Sequence, residues 1–146
     1  MSQVDPVLNL DLPPFEPVNR RRGGWSGVAM VTCANKSYFI KRQKNHSYRE
    51  LRRGFRRTPT LRREYRNTLR LQALGIPTPE IVRYQETNTS GFLITRQLNG
   101  FQNLENYLLA VEQSFQRNHT MAVVAQTLLR MHLGGLHHGC LYGKHV

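Results

Sequence analysis

Acidic residues are scarce in this sequence, and their placement is narrower than their number. Nine of the 146 residues are Asp or Glu; both aspartates, Asp5 and Asp11, fall within the first eleven positions, and no acid follows Glu112. Chemistry that needs a carboxylate in the last 34 residues finds none there. Cysteine is nearly absent. Cys33 and Cys140 stand far apart, which excludes a disulfide framework and, by themselves, any zinc-ligand spacing. No uninterrupted apolar run approaches the ~18 residues that would mark a membrane-spanning helix. A basic-then-apolar leader is also lacking, so the default expectation is a cytoplasmic chain. No internal repeat or low-complexity tract is expected.

What the chain has in excess is arginine. The formal net charge is +12, and 17 of the 21 basic residues are Arg, the side chain suited to forked contacts with phosphate. Between Lys41 and Arg70 twelve Lys/Arg face only Glu50 and Glu64. This balance points to an anionic partner: nucleic acid, an anionic lipid surface or a phosphorylated glycan. A basic face that is merely solvated fits the same numbers. With 39% apolar residues and a mean hydropathy of −0.53, the chain is long enough for an ordinary domain with a core.

In chain order, residues 1–19 hold four prolines and read as an extended lead-in. Arg22-Gly23-Gly24-Trp25-Ser26-Gly27 follows as a glycine-rich turn, where backbone amides can approach a phosphate closely. Gly27 to Cys33 predicts a strand, joined through Ala34-Asn35-Lys36 to a second strand, Tyr38-Phe39-Ile40-Lys41, that ends in its lysine. Arg42 to Arg57 is basic and poor in apolar residues; its structure stays open. A helix is then predicted with Thr58 as N-cap and Pro59 at its first position, burying Leu61, Tyr65, Leu69 and Ala73 and ending at Gly75. Glu64 lies at the edge of that stripe. It either forms an intrahelical pair or is simply solvated, or it is the counter-ion that a lysine on a buried strand needs.

Further on, Glu80–Tyr84 and Phe92–Thr95 predict two strands, and Leu104–Val111 a short helix. A helix from about His119 to Leu133 is apolar on nearly all faces and is expected to be buried, with Gly134-Gly135 stopping it. Five side chains that bind metals, His132, His137, His138, Cys140 and His145, crowd around the end of the chain. They match no zinc spacing, and the other reading of the stretch is a catalytic loop. A glycine-rich hairpin, a strand lysine and a helix glutamate, in that order, is how a kinase N-lobe holds ATP phosphates.

These motifs, together with Arg63-Glu64-Tyr65-Arg66-Asn67, Leu74-Gly75-Ile76-Pro77-Thr78-Pro79, Leu93-Ile94-Thr95, Leu129-Arg130-Met131-His132 and His138-Gly139-Cys140-Leu141-Tyr142, give residues 20 to 146 a resemblance. They resemble the bacterial lipopolysaccharide kinase family, its Kdo- and heptose-kinase relatives, and above all the InaA-type members. The resemblance implies an α+β, protein-kinase-like fold: an N-lobe and hinge over residues 20–98, made of an antiparallel sheet and one long helix, then the first helices of an incomplete C-lobe over residues 99–146. It implies ATP and magnesium, with Gly23, Gly24 and Gly27 under the phosphates, Lys41 paired to Glu64, and Gln97 and Leu98 presenting backbone groups to adenine. His138 would open the catalytic loop, Cys140 would stand at its Asp position, and His145 at its metal-binding Asn position. A thiol at that position and the missing Asp-containing magnesium segment lead to the expectation of a truncated or inactive version. The implied partner is a lipopolysaccharide core or other anionic glycolipid, with peripheral contact at the inner membrane. A pseudokinase-type stress-response protein is the alternative, and a basic nucleic-acid-binding domain the remoter one.

Overall fold

The computed structural model describes residues 6–21, 23–51 and 54–137. These fall into two compact units. The first comprises the described residues up to Thr68 with Pro79–Gln97, the second Leu69–Thr78 with those from Leu98 onward.

The first unit is built on a five-stranded antiparallel sheet in the order β1-β2-β3-β7-β6. Its strands are β1 (Asn19–Arg21), β2 (Gly24–Cys33), β3 (Lys36–Lys44), β6 (Ile81–Glu86) and β7 (Ser90–Arg96). Strand β2 turns into β3 through Ala34 and Asn35, both at positive φ (49° and 59°), the handedness a two-residue hairpin loop requires. Strand β3 pairs on its other side with β7, Lys41 opposite Leu93. The basic segment that the sequence left open is mostly strand. Beyond β3, a second hairpin joins β4 (Ser47–Glu50) to β5 (Arg56–Pro59). The N-terminal lead-in is not wholly extended: Pro6–Asn9 form one 3-10 turn, and the Phe15 ring meets Phe39 edge-on at 5.1 Å.

Helix α1 (Thr60–Ala73) starts two residues later than the N-cap expected at Thr58, which instead lies within β5 and is fully buried. Its exposed N–H groups find partners elsewhere. The buried amide of Gln43 on β3 accepts from the Leu61 backbone N–H (3.1 Å) and the Thr60 hydroxyl (2.7 Å), and the Thr60 N–H donates to the His46 carbonyl. The expected buried stripe holds only at its start. Leu61 is buried and Tyr65 half-buried, stacked on Tyr84 at 4.0 Å, but Leu69 and Ala73 are exposed. Steps of four residues overshoot a 3.6-residue turn by about 40°, so by Ala73 the line has rotated about 120° away from Leu61. Leu61 joins Ala29, Ile40, Phe92 and Leu93 in the core of this unit.

The second unit contains α2 (Leu104–Ala110) and α3 (Ser114–Leu133), with Asn103 capping α2 through a 2.8 Å bond from the Asn106 N–H. Helix α3 begins earlier than predicted, and it is not buried: none of its residues is, and Leu129 and Leu133 are exposed. Thr120, Val124, Thr127, Leu128 and Met131 form one half-buried stripe, and the other faces of the helix are exposed. Both α1 and α3 stop as glycine predicts. Gly75 and Gly135 take positive φ, and the N–H groups of Ile76 and Leu136 reach back to Leu71 and Met131, the closing bonds of Schellman motifs. The two ends are also tied together. Arg70 in the last turn of α1 donates to the Gly134 carbonyl, and Arg130 in the last turn of α3 donates to the Gly75 carbonyl. The two stops are alike in sequence: Leu69-Arg70-Leu71 through Gly75-Ile76 recurs as Leu129-Arg130-Met131 through Gly135-Leu136. Each copy makes the same helix stop.

Candidate functional site: a strand lysine and a helix glutamate

Alternate residues of β3 share one face, so Lys41 and Gln43 both point toward α1. Gln43 receives the first turn of the helix at Leu61; one step back along the strand, Lys41 meets Glu64, one turn further into the helix. The Lys41 Nζ lies 2.6 Å from the Glu64 Oε2. Strand and helix thus run past each other in opposite directions and are joined at two points. This corrects one detail of the sequence reading: β3 does not end at Lys41 but continues to Lys44, and the continuation carries the Gln43 contact.

The pair lines a cleft of about 300 Å³ shared with Asn19, Ser26, His46, Thr60, Arg63 and Asn67. Lys41 and Arg63 face one carboxylate, so the cleft is net positive, and its remaining side chains are hydrogen-bonding groups. The orientation of one of them follows from its neighbours. The Leu61 N–H can only donate, which makes the Gln43 oxygen the acceptor. The Thr60 hydroxyl then gives its proton to that oxygen and accepts from the His46 Nδ1, 2.8 Å away. His46 is therefore held as the Nδ1–H form, with Nε2 as its other hydrogen-bonding atom.

The three glycines are not part of this lining. Gly23, at φ 75°, borders a different cleft, of about 260 Å³, with Asn45, Ser47 and Arg57 among its walls. Gly24 lies in β2, and a Cβ there would collide with the Asn45 carbonyl, so close approach of backbone requires glycine. At Gly27 a Cβ would make only ordinary contact with Val18. Ser26, between them, is the residue of this hairpin that reaches the Lys41 cleft. The Gln97 N–H donates to the Ser37 carbonyl at 2.9 Å, and Leu98 begins the second unit. His138, Cys140 and His145 lie outside the described residues. Of the five metal-competent side chains at the end of the chain, His132 and His137 are described, their rings 5.0 Å apart. Among the described residues no three His, Cys, Asp or Glu converge in a way that would hold a metal ion.

Sequence reasoning did not single out Gln43, His46, Asn67 or Ser26. Helical spacing contained a signal for part of this set, since positions 60, 63, 64 and 67 share one face of α1. Gln43 sits one strand repeat beyond Lys41.

A five-stranded antiparallel sheet whose central strand offers a lysine to a glutamate on the following helix is the arrangement of a kinase N-lobe. The match to known proteins agrees: the lipopolysaccharide kinase (Kdo/WaaP) family pattern spans residues 6–146, and the chain belongs to that family. Protein InaA of Escherichia coli (strain K12) is 29% identical over 139 residues, covering 90% of this chain and 64% of InaA. The chain therefore spans a little under two thirds of that relative's length. Among solved structures, WaaP in complex with acyl carrier protein is 20% identical with a TM-score of 0.45, over 66% of this chain and 36% of the WaaP chain. None of the described helices is long and apolar enough to cross a membrane.

Proposed function

We propose that the Lys41 cleft receives the phosphates of ATP, and that the chain is the nucleotide-binding part of a kinase acting on an inner-core sugar of lipopolysaccharide. The observation that carries this reading is the Lys41–Glu64 contact within a net-positive cleft. An ammonium fixed by a carboxylate presents a positioned point charge to the α/β-phosphates. Arg63, Asn67 and Ser26 add donors around it, so the residues present fit a polyphosphate. Toward adenine, Gln97 would act through its carbonyl, its N–H being committed to Ser37, and Leu98 would follow as the next hinge residue. ATP supplies the phosphoryl group; the described residues bind and orient it. No step here is assigned to magnesium.

A second reading is favoured by Cys140. A thiol with an ordinary pKa near ~8.5 is mostly neutral at pH 7 and makes a weak base for a sugar hydroxyl. A protein that binds nucleotide without transferring phosphate, of the pseudokinase type, follows from that residue. Calorimetric titration with ATP tests the shared claim. Loss of one charge-assisted phosphate contact should weaken binding of Lys41→Ala about tenfold or more. Equal affinity in parent and variant would remove the nucleotide reading. Radiolabel transfer to a lipopolysaccharide core, present or absent in the parent, then decides between kinase and pseudokinase.

A further inference from the structure

We propose that the β4–β5 hairpin is a docking element for an anionic lipid bilayer, with Leu51 and Phe55 entering the head-group boundary and Arg49 and Arg57 meeting lipid phosphates. Leu51 and Phe55 are 71% and 61% exposed, the most exposed of the large apolar side chains described in the first unit. Both lie in the connection at the tip of the hairpin, between Glu50 and Arg56.

Phe55 is also held at φ 59°, directly after Gly54 at φ 63°. A bulky residue adopts that left-handed conformation only at a cost, and Asn or Gly would fill it more cheaply. An exposed aromatic kept in a strained position at a loop tip suggests that its side chain has a use there.

The charges flanking the tip fit the same partner. Arg49 and Arg57 are directly opposite in the strand register, and both are exposed. Like charges facing each other across a strand pair repel, and an anion between them turns that repulsion into attraction. The other face of the hairpin is anchored: Thr58 is fully buried, and the Arg63 guanidinium lies 4.7 Å above the Tyr48 ring centre. The arginine face and the apolar tip are therefore the parts left outward. An aliphatic side chain beside an aromatic one, rimmed by arginines, suits the boundary between head groups and acyl chains. Nucleic acid would use the arginines and the ring but has no place for Leu51.

This inference deepens the glycolipid reading above and rests on it for the reason a kinase would sit at a lipid surface. Co-sedimentation of the full chain tests it, with vesicles of phosphatidylcholine alone and of phosphatidylcholine with phosphatidylglycerol in equal parts. The parent should pellet with the anionic vesicles and not with the neutral ones. Leu51→Ser/Phe55→Ser and Arg49→Gln/Arg57→Gln should each lower the binding about tenfold, the lipid phosphate attraction being lost in the second case. Phe55→Trp serves where the serine variant folds poorly, and its emission should shift to the blue on anionic vesicles alone. ATP affinity of these variants should equal the parent's, which separates a failure here from a failure of the nucleotide cleft. A parent that ignores anionic vesicles, a serine variant that binds them as the parent does, or a tryptophan with unchanged emission would overturn the proposal. So would binding abolished by competing single-stranded RNA.

Discussion

Tyr84 is a half-buried phenol whose surroundings tie stability to alkaline pH. Its ring stacks on Tyr65 and its hydroxyl donates to Glu86, which also holds Arg62. Burial, then the Glu86 bond, raise the Tyr84 pKa well above its ordinary value of 10.0. The same carboxylate raises that of Arg62. The folded protein therefore holds the phenol proton more tightly than the unfolded chain does. The stability from Tyr84 is whole below pH ~10 and is lost as the pH climbs toward the raised folded value. Tyr84→Phe should cost about 1 kcal/mol at neutral pH, for the lost bond to Glu86, and should flatten the decline above pH ~10. Urea unfolding in neutral and alkaline buffer measures both; an unchanged alkaline slope would show that Tyr84 does not set it. The Lys41–Glu64 pair differs in kind. Its side chains are 36% and 42% exposed, and an ion pair that open contributes at most about 1 kcal/mol. Its value lies in where it puts the ammonium.

At the scale of elements, the site depends on how β3 and α1 are joined. Gln43 caps the helix from a neighbouring strand, a role that no local N-cap pattern reveals. Thr58-Pro59 is a good local signal for an N-cap and first helical position, but β5 claims both residues for its pairing with Ser47 and Tyr48. Gln43→Leu would leave the Leu61 N–H without its acceptor in a buried place. The expected cost is about 2 kcal/mol, with fraying of the first turn of α1 and weaker ATP binding through displacement of Glu64. Hydrogen exchange at Leu61 reads this directly, and unchanged protection there would contradict it. The helix stops were legible, because Gly75 and Gly135 act through their own backbones. The burial of α3 was not legible: an apolar face in a sequence states a need for cover, and the described residues cover one stripe of the helix, and that only in part. The repeated Leu-Arg stop of α1 and α3 was present in the sequence, but its meaning lies in the exchange of Arg70 and Arg130 between helix ends, which only three dimensions show.

At the scale of the whole chain, a strongly basic protein, at +12, sets three of its nine acids against cations: Glu64 on Lys41, Glu86 on Arg62, Glu80 on Arg96. The order of glycine hairpin, strand lysine and helix glutamate was readable in the sequence and led to the right family. The contact between Lys41 and Glu64 joins positions 23 residues apart and was one of two open readings, because choosing between them takes the packing of α1 on the sheet. Of the glycine-rich turn, Ser26 is the residue that lines the Lys41 cleft. The claim on which the account rests is that Lys41 receives nucleotide phosphate, and strand β3 contains its own controls, Lys36 and Lys44. Labelling the protein with a lysine-reactive acyl phosphate of ATP and locating the adduct by mass spectrometry tests it most directly. The account predicts that Lys41 is modified well ahead of Lys36 and Lys44 and that excess ATP protects it. Equal modification of the three, with no protection, would contradict it.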